Sequence, residues 1–304
     1  MREGFKEAIL LAAKADSRVH ILTGDHGYEL FDQFRSEFPE RFHNVGVAES
    51  NMVGMAAGFA RNGLKPLIYG LASFVPNRVF EFIKLQIALD SLPVVIVGDG
   101  AGFVYSFLGK SHQTLEDLTL MGSLSQVRTL SPASDKEMKK ATEWALNQSF
   151  PVYLRIGKSG GVFEGCSEAD SPKPLKITSS HRPTNIAVVA HGSMVSSVLK
   201  AQNDLQEINF DTWSCPTVFP IDSDFLSLLS DKYRKVIVVE EHQLRGGLAS
   251  ELIIKLQSTD TKISSICAQP NNLPQVGSYE WNLSRHGLSH ESLVLSLRNA
   301  SDLS

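Results

Sequence analysis

Two apolar runs constrain the fold of this 304-residue chain more than any other feature of its sequence. Residues 93–97 read Pro-Val-Val-Ile-Val, and residues 235–239 read Lys-Val-Ile-Val-Val. A continuous run of this kind, without polar alternation, is typical of a parallel strand that is buried on both faces of its sheet. The two runs therefore predict two α/β units, each built around a central strand.

Weaker strand and helix patterns alternate around these runs, as expected for parallel sheets. Further strands are expected at 19–22, 66–69, 126–130, 152–156, 185–190, 210–215 and 263–267. Helices are expected at 2–15, 29–38, 76–89, 134–146, 194–206, about 248–256 and 287–298. Between the units, the composition shifts to Ser, Gly, Pro and Lys, which marks a linker. We predict an α/β fold of two domains, each a mostly parallel sheet with helices on both faces, at 1–165 and 185–304 with a linker at 166–184.

Charge and cysteine content exclude several functional classes. The formal net charge of −4 gives no positive footprint for nucleic acid or an anionic membrane. Cys166, Cys215 and Cys267 lie far apart and form no CxxC pair, which favours a reduced protein without a cysteine-based metal site. No stretch approaches the length of a membrane span, and the first residues lack the apolar core of a signal peptide. We therefore expect a soluble, cytoplasmic protein.

Residues 45–58 form the first candidate site. They begin as a short extended run, turn at Glu49 and continue as a helix rich in Gly, Ala and Met. Gly54 and Gly58 share one helical face and would let another backbone approach closely. Ligands gather where strands end and helices begin in α/β sheets, but an acid in the first turn of a helix is also favoured by the helix dipole alone. Spacing leaves both interpretations of Glu49 open.

The glycine-rich loop after the central strand, Gly98-Asp-Gly-Ala-Gly102, suggests a dinucleotide site. That fingerprint requires a third glycine and a helix start, whereas Phe103 holds the place of the glycine and an aromatic, β-branched segment follows. The nicotinamide-dehydrogenase hypothesis is therefore weak. A second loop, at 109–113, carries His112, whose imidazole is suited to proton transfer near neutrality but is also an ordinary residue for a solvated loop.

Several segments resemble those of one enzyme family. Val-Gly-Val-Ala-Glu-Ser-Asn at 45–51 resembles the stretch that carries the catalytic glutamate in the pyrimidine-binding domain of transketolases. Gly-Lys-Ser-His-Gln at 109–113 resembles the Gly-x-Thr-His-Gln segment of transketolases and deoxyxylulose-phosphate synthases. Segments 219–222 and 238–247 resemble the C-terminal domain of transketolases.

The resemblance implies roles for individual residues. Glu49 would bind the N1′ atom of thiamin diphosphate and so help the cofactor to lose its C2 proton. Phe74 would stack on the aminopyrimidine ring, with Phe80 and Asp25 as further cofactor-facing residues. His112 would meet the carbonyl and hydroxyl oxygens of the substrate. The implied reaction moves a two-carbon ketol unit from a ketose to an aldehyde.

The resemblance also implies a partner. Transketolases have a preceding domain that binds Mg²⁺ and the diphosphate, whereas this sequence starts at the pyrimidine-binding domain. We therefore expect one subunit of a split transketolase, in an α2β2 assembly whose other subunit supplies the metal ligands. Its substrates would be sugars or sugar derivatives. A β subunit of a 2-oxoacid dehydrogenase E1 component and a non-catalytic interaction subunit remain alternatives.

Three positions depart from the patterns of the family. Leu108 stands where transketolases have an acid that reads a sugar hydroxyl, and Ser131 lies in place of their phosphate-binding arginine. Gly100 replaces the arginine of the Asp-Arg-Ala-Gly stretch of deoxyxylulose-phosphate synthases. We name Arg155 and Lys158 as candidates for meeting an anionic group instead. The departures predict a substrate other than an ordinary pentose phosphate, or a phosphate that is held differently.

Overall fold

The apolar run at 93–97 leads into the central strand of a seven-stranded sheet, and the run at 235–239 forms a strand of a second, five-stranded sheet. The computed structural model describes residues 1–158, 161, 163–180, 182–269 and 276–302. The strands are β1 (Val19–Thr23), β2 (Phe42–Asn44), β3 (Lys65–Leu71), β4 (Val95–Asp99), β5 (Arg128–Leu130), β6 (Val152–Ile156), β7 (Leu175–Thr178), β8 (Ile186–Ala190), β9 (Asp211–Ser214), β10 (Thr217–Phe219), β11 (Lys235–Glu240) and β12 (Lys262–Cys267).

Helices surround both sheets. They are α1 (Arg2–Ala15), α2 (Asp32–Glu37), α3 (Glu49–Arg61), α4 (Phe80–Phe82), α5 (Asp117–Gly122), α6 (Asp135–Ala145), α7 (Met194–Asn203), α8 (Ser223–Lys232), α9 (Leu248–Lys255), α10 (Tyr279–Arg285) and α11 (His290–Asp302). Among the residues that the structure describes, no helix combines the length and the hydropathy that a membrane crossing requires.

Each sheet is parallel except at one edge. The first has the order β10-β5-β6-β4-β3-β1-β2, in which β10 pairs antiparallel with β5. The second has the order β12-β11-β8-β9-β7, in which β7 pairs antiparallel with β9. The predicted α/β fold of two mostly parallel sheets is confirmed. Residues at the carboxyl ends of β1, β3 and β4 meet at one edge of the first sheet because these neighbouring strands run in the same direction.

Several local elements differ from the sequence prediction. The segment 166–184, predicted as a linker, contains β7, so the second sheet begins inside it. Leu175 and Ile177 pack against the core of the second unit. Their spacing of two residues is the strand pattern, which is hard to see in a segment of mostly polar composition. The helix predicted at 76–89 is a 3₁₀ turn, then α4, and then a π-helical segment, Ile83–Ala88. The helix predicted at 29–38 shortens to α2.

Hydrophobic packing is continuous between the two units. One cluster contains Met52, Val53 and Leu118 of the first unit together with Val218 and Val236 of the second. The chain also crosses between the units, because β10 follows a strand of the second sheet and yet pairs within the first. The units are therefore held together by apolar burial as well as by strand pairing.

Candidate functional site

Glu49 is the first residue of α3 and lies just beyond the loop that follows β2. The carboxylate suits this position because the amino end of a helix carries a partial positive charge. Its side chain is only 8% exposed, and Nη1 of Arg78 lies 3.1 Å from each of its two oxygens. Within the described part of the chain, the charged partner of this nearly buried acid is one half-exposed arginine, an arrangement that favours a functional role.

Phe74 and His112 lie beside this ion pair. The guanidinium carbon of Arg78 lies 4.0 Å from the centre of the Phe74 ring. The rings of Phe74 and His112 are 5.3 Å apart at an interplanar angle of 67°, an edge-to-face contact. Three separate segments, at 49, 74 and 112, therefore converge on one place. The structure brings together the three residues on which the sequence prediction mainly rests.

The segment that carries Phe74 and Arg78 is hydrogen bonded to a partly buried carboxyl, that of Glu116. Oε1 of Glu116 accepts a hydrogen bond from Nδ2 of Asn77 at 2.8 Å, and Oε2 accepts one from the backbone N–H of Leu115 at 2.8 Å. Burial raises the pKa of Glu116 above its ordinary value. The Glu116 carboxyl therefore links the 74–78 loop to the segment that follows His112.

The side chains of Glu49, Phe74 and His112 together offer a defined chemistry. A carboxylate accepts N–H bonds, the face of Phe74 accepts a planar ring or cation, and the imidazole of His112 can give or take a proton. The arrangement fits a flat, N–H-donating group, since the guanidinium of Arg78 already makes both contacts in this way. Nδ1 of His112 is 2.9 Å from the hydroxyl of Ser111, which fixes one side of the ring and leaves Nε2 as the nitrogen directed elsewhere.

Asp25 and Phe80 make none of the contacts described above among Glu49, Phe74, Arg78 and His112. Asp25 is exposed, has φ of 61°, and accepts hydrogen bonds from Asn44 and Tyr28. Its neighbour Gly24 lies against Glu49, because a Cβ at position 24 would be 3.8 Å from Cγ of Glu49. Phe80 is partly buried and packs against the apolar cluster that contains residues of both units.

Arg155 and Lys158 lie at the junction of the two units. The Arg155 side chain is buried in β6, where Nε donates to Asp117 at 2.7 Å and Nη2 donates to the backbone carbonyl of Glu241 at 2.9 Å. Lys158 is half exposed and pairs with Glu280 at 2.7 Å. It lines a cavity of about 280 Å³ together with residues of α7 and α10. The two residues therefore occupy different environments, one enclosed and one accessible.

The glycine loop at 98–102 joins the units rather than opening a helix. Two 3₁₀ turns, Ser106–Leu108 and Lys110–His112, follow it. The backbone N–H of Phe103 donates to Oε1 of Glu241 in the second unit at 2.7 Å. A Cβ at position 102 would lie 2.1 Å from that oxygen, so glycine is required for the close approach. Gly102 therefore allows the two units to pack closely at this loop.

Asp99, at the end of β4, is the centre of a second polar group. Its carboxylate is bonded by Arg2 at 2.5 Å, by the hydroxyl of Tyr105 at 2.9 Å and by His26 at 3.2 Å. Burial opposes ionisation of Asp99, but the hydrogen bonds and charges of His26 and Arg2 outweigh it and hold the pKa of the carboxyl below its usual range. This group lies at the same edge of the first sheet as Phe74, since β3 and β4 are adjacent.

The departures at 131 and 108 also have defined places. Ser131 is buried, and its hydroxyl is 2.9 Å from Nδ1 of His191 in the second unit. Leu108 is 49% exposed, in the 3₁₀ turn that precedes His112.

The sequence analysis did not identify Arg78 as a site residue. Its signal was present, because Arg78 follows Phe74 by four residues, the spacing at which side chains meet on a helical turn.

Comparison with known families divides the chain into two parts. Residues 1–161 match the family described as transketolase, pyrimidine binding domain. Residues 176–292 match the family described as transketolase, C-terminal domain.

Individual relatives agree with this division. A 1-deoxy-D-xylulose-5-phosphate synthase of Treponema pallidum is 33% identical over 258 residues, which are 82% of this chain and 40% of that protein. The chain thus spans less than half the length of this relative. One subunit of the apulose-4-phosphate transketolase of Phocaeicola vulgatus is 26% identical over 296 residues, 96% of this chain and 94% of that protein. A solved structure described as a split gene transketolase, inactive beta4 tetramer, has a TM-score of 0.83 and 27% identity, and the match covers 99% of this chain and 98% of that one.

Proposed function

Because the chain belongs to the transketolase family, we propose that it is one subunit of a split, thiamin-diphosphate-dependent transketolase that moves a two-carbon ketol unit from a ketose to an aldehyde. The observation that carries the proposal is the convergence of Glu49, Phe74 and His112. A second subunit would complete the active site with the diphosphate and Mg²⁺ ligands, in an α2β2 assembly. A cytoplasmic location is part of the proposal and suits the three free thiols.

Glu49 and Phe74 fit the aminopyrimidine part of the cofactor. The carboxylate accepts a hydrogen bond from a ring nitrogen, and the face of Phe74 supports a flat ring, the same two kinds of contact that the guanidinium of Arg78 makes. When bound, thiamin diphosphate supplies a carbon nucleophile at C2. Glu49 contributes by holding a proton at N1′, and its nearly buried position keeps water from competing for that bond.

His112 is the proposed proton carrier on the substrate side. Its ring contacts that of Phe74, so the imidazole would lie beside an aminopyrimidine ring that stacks on the phenyl ring. Ser111 orients the ring through Nδ1, which leaves Nε2 to hydrogen bond with a carbonyl or hydroxyl oxygen. Lys158 remains a proposed contact for an anionic group. We leave Arg155 out of the substrate site because its guanidinium is enclosed between Asp117 and the second unit.

A second candidate activity is that of the deoxyxylulose-phosphate synthases, to one of which the chain is 33% identical. The geometry at Gly100 disfavours it. A Cβ at position 100 would lie 1.9 Å from Cε2 of Tyr105, and φ is +72°, so the Tyr105 ring fills the space that an arginine there would need. The chain therefore recognises its substrate through other groups, which favours ketol transfer to or from a different sugar derivative.

Partner-dependent cofactor binding tests the proposal. The chain would be co-expressed with a diphosphate-binding transketolase subunit, and binding of thiamin diphosphate with Mg²⁺ would be measured by calorimetry for each subunit and for the mixture. We expect tight binding only by the mixture. A verified complex that binds no cofactor would contradict the proposal.

A further inference from the structure

Arg78 occupies both surfaces that the proposed cofactor site offers. Its Nη1 is 3.1 Å from each oxygen of Glu49, and its guanidinium carbon is 4.0 Å from the centre of the Phe74 ring. A planar cation that stacks on the phenyl ring and donates N–H bonds to the carboxylate makes the same two kinds of contact as a bound aminopyrimidine. We propose that Arg78 is a gate residue, whose guanidinium competes with the pyrimidine ring of the cofactor and moves aside when that ring binds. The inference rests on the function proposed above.

The backbone around Arg78 is anchored, so the gate is the side chain alone. The N–H of Arg78 donates to the carbonyl of Phe74 at 3.2 Å, and the side chain of Asn77 is held by Glu116. The Arg78 side chain is 48% exposed and has solvent to move into. Rotamer changes of exposed side chains occur within picoseconds to nanoseconds, so opening would not limit turnover.

The contact explains how the free subunit tolerates a nearly buried acid. Without a cation, the carboxylate of Glu49, which is 8% exposed, would lie in a poorly hydrated place with no compensating charge. Arg78 supplies that charge until a ligand donates to the same oxygens. A half-exposed ion pair is weak, so a ligand can displace it.

The test compares two arginines of matched exposure. Arg61, near the other end of α3, is 47% exposed and pairs with Asp90 at 2.7 Å, so Arg61→Ala removes a similar ion pair and the same charge outside the site. Affinity for thiamin diphosphate with Mg²⁺ would be measured by calorimetry on the complex with the diphosphate-binding subunit. A gate that is closed most of the time reduces apparent affinity by the open fraction, so Arg78→Ala is expected to lower Kd about fivefold. Arg61→Ala is expected to leave Kd within about twofold.

A second variant guards against failure of the first to fold or assemble. Arg78→Lys keeps the charge but loses the planar group that stacks on Phe74, so it should bind the cofactor more tightly than wild type and less tightly than Arg78→Ala. Unchanged or weaker binding by these variants, beside a wild-type complex that binds normally, would overturn the gate alone. A wild-type complex without any cofactor binding would overturn the proposed function and the gate with it.

Discussion

Two carboxylate–arginine pairs in the first unit share their chemistry and differ in their surroundings. In the Glu49–Arg78 pair, the arginine is 48% exposed and the atoms are 3.1 Å apart. In the Asp117–Arg155 pair, the side chains are 0% and 2% exposed and the atoms are 2.7 Å apart. Exposure decides what such a pair can do: the first can exchange its cation for a ligand, whereas the second is part of the folded framework.

The buried pair belongs to a wider network between the two units. Asp117 also accepts from the hydroxyl of Tyr153 at 2.8 Å, and Arg155 donates to the carbonyl of Glu241. Burial opposes ionisation of Asp117, but the charge of Arg155 outweighs it and lowers the pKa of the carboxyl. Burial also lowers the pKa of the neighbouring His242 to about 4, which keeps its imidazole neutral at physiological pH. The fold therefore keeps Asp117 ionised and His242 neutral.

The largest expected effect is the difference in the free energy of unfolding between variants that lack Arg155 and variants that lack Arg78. Arg155→Met leaves Asp117 as a buried, unpaired charge and should lower the free energy of unfolding by about 3–5 kcal/mol. Arg78→Met leaves the carboxylate of Glu49, which is 8% exposed, without its cation and should cost less than the loss of Arg155, about 1–2 kcal/mol. Urea denaturation of the isolated chain measures both. Equal losses for the two variants would show that burial does not separate these pairs.

Glu137 is a buried carboxyl that has no cationic partner among the described residues, and it extends the comparison to a group held by hydrogen bonds alone. Glu137 accepts hydrogen bonds from Ala133 and from Ser214 of the second unit, and burial raises the pKa of its carboxyl from 4.5 to about 7. Its folded pKa lies above its unfolded value, so the stability that it contributes is complete below about pH 4.5 and is lost as the pH rises through about 7.

We therefore expect Glu137→Gln to gain stability relative to wild type as the pH rises from 4.5 to 8, by up to about 3 kcal/mol. Denaturation curves across this pH range measure the change. Ser214→Ala removes a hydrogen bond that lowers the pKa of Glu137, so its loss of about 1 kcal/mol at pH 4.5 should grow as the pH rises, opposite to the gain of Glu137→Gln. Parallel curves for Glu137→Gln and wild type would contradict the assignment.

The sequence predicts the framework better than the contacts between its parts. Uniformly apolar strands and amphipathic helices depend on short-range patterns, so β4, β11, α1 and α3 lie close to their expected positions. The pairing of β10 with β5 depends on how the two units pack, and no local pattern indicates it. β7 was missed because a short edge strand that is only half buried carries a weak signal.

The candidate site shows the same limit. Glu49, Phe74 and His112 follow from recognisable segments, and their convergence is a consequence of the parallel sheet. Arg155 was predicted from residue type alone, which cannot distinguish an accessible guanidinium from one enclosed by Asp117 and Glu241. The spacing of Arg78 from Phe74 was readable in the sequence, but its ion pair with Glu49, 29 positions away, required the three-dimensional structure.

The catalytic role proposed for Glu49 is tested most directly by the rate at which bound thiamin diphosphate exchanges its C2 proton for deuterium, measured by NMR on the complex with the partner subunit. It requires no knowledge of the substrate and reports on Glu49 specifically. Glu49→Gln keeps the size of the side chain and removes its ability to hold the proton at N1′, so we expect exchange slower by at least about 100-fold with cofactor still bound. Exchange at the wild-type rate in that variant would contradict the catalytic assignment and favour a subunit that has kept the fold without the chemistry.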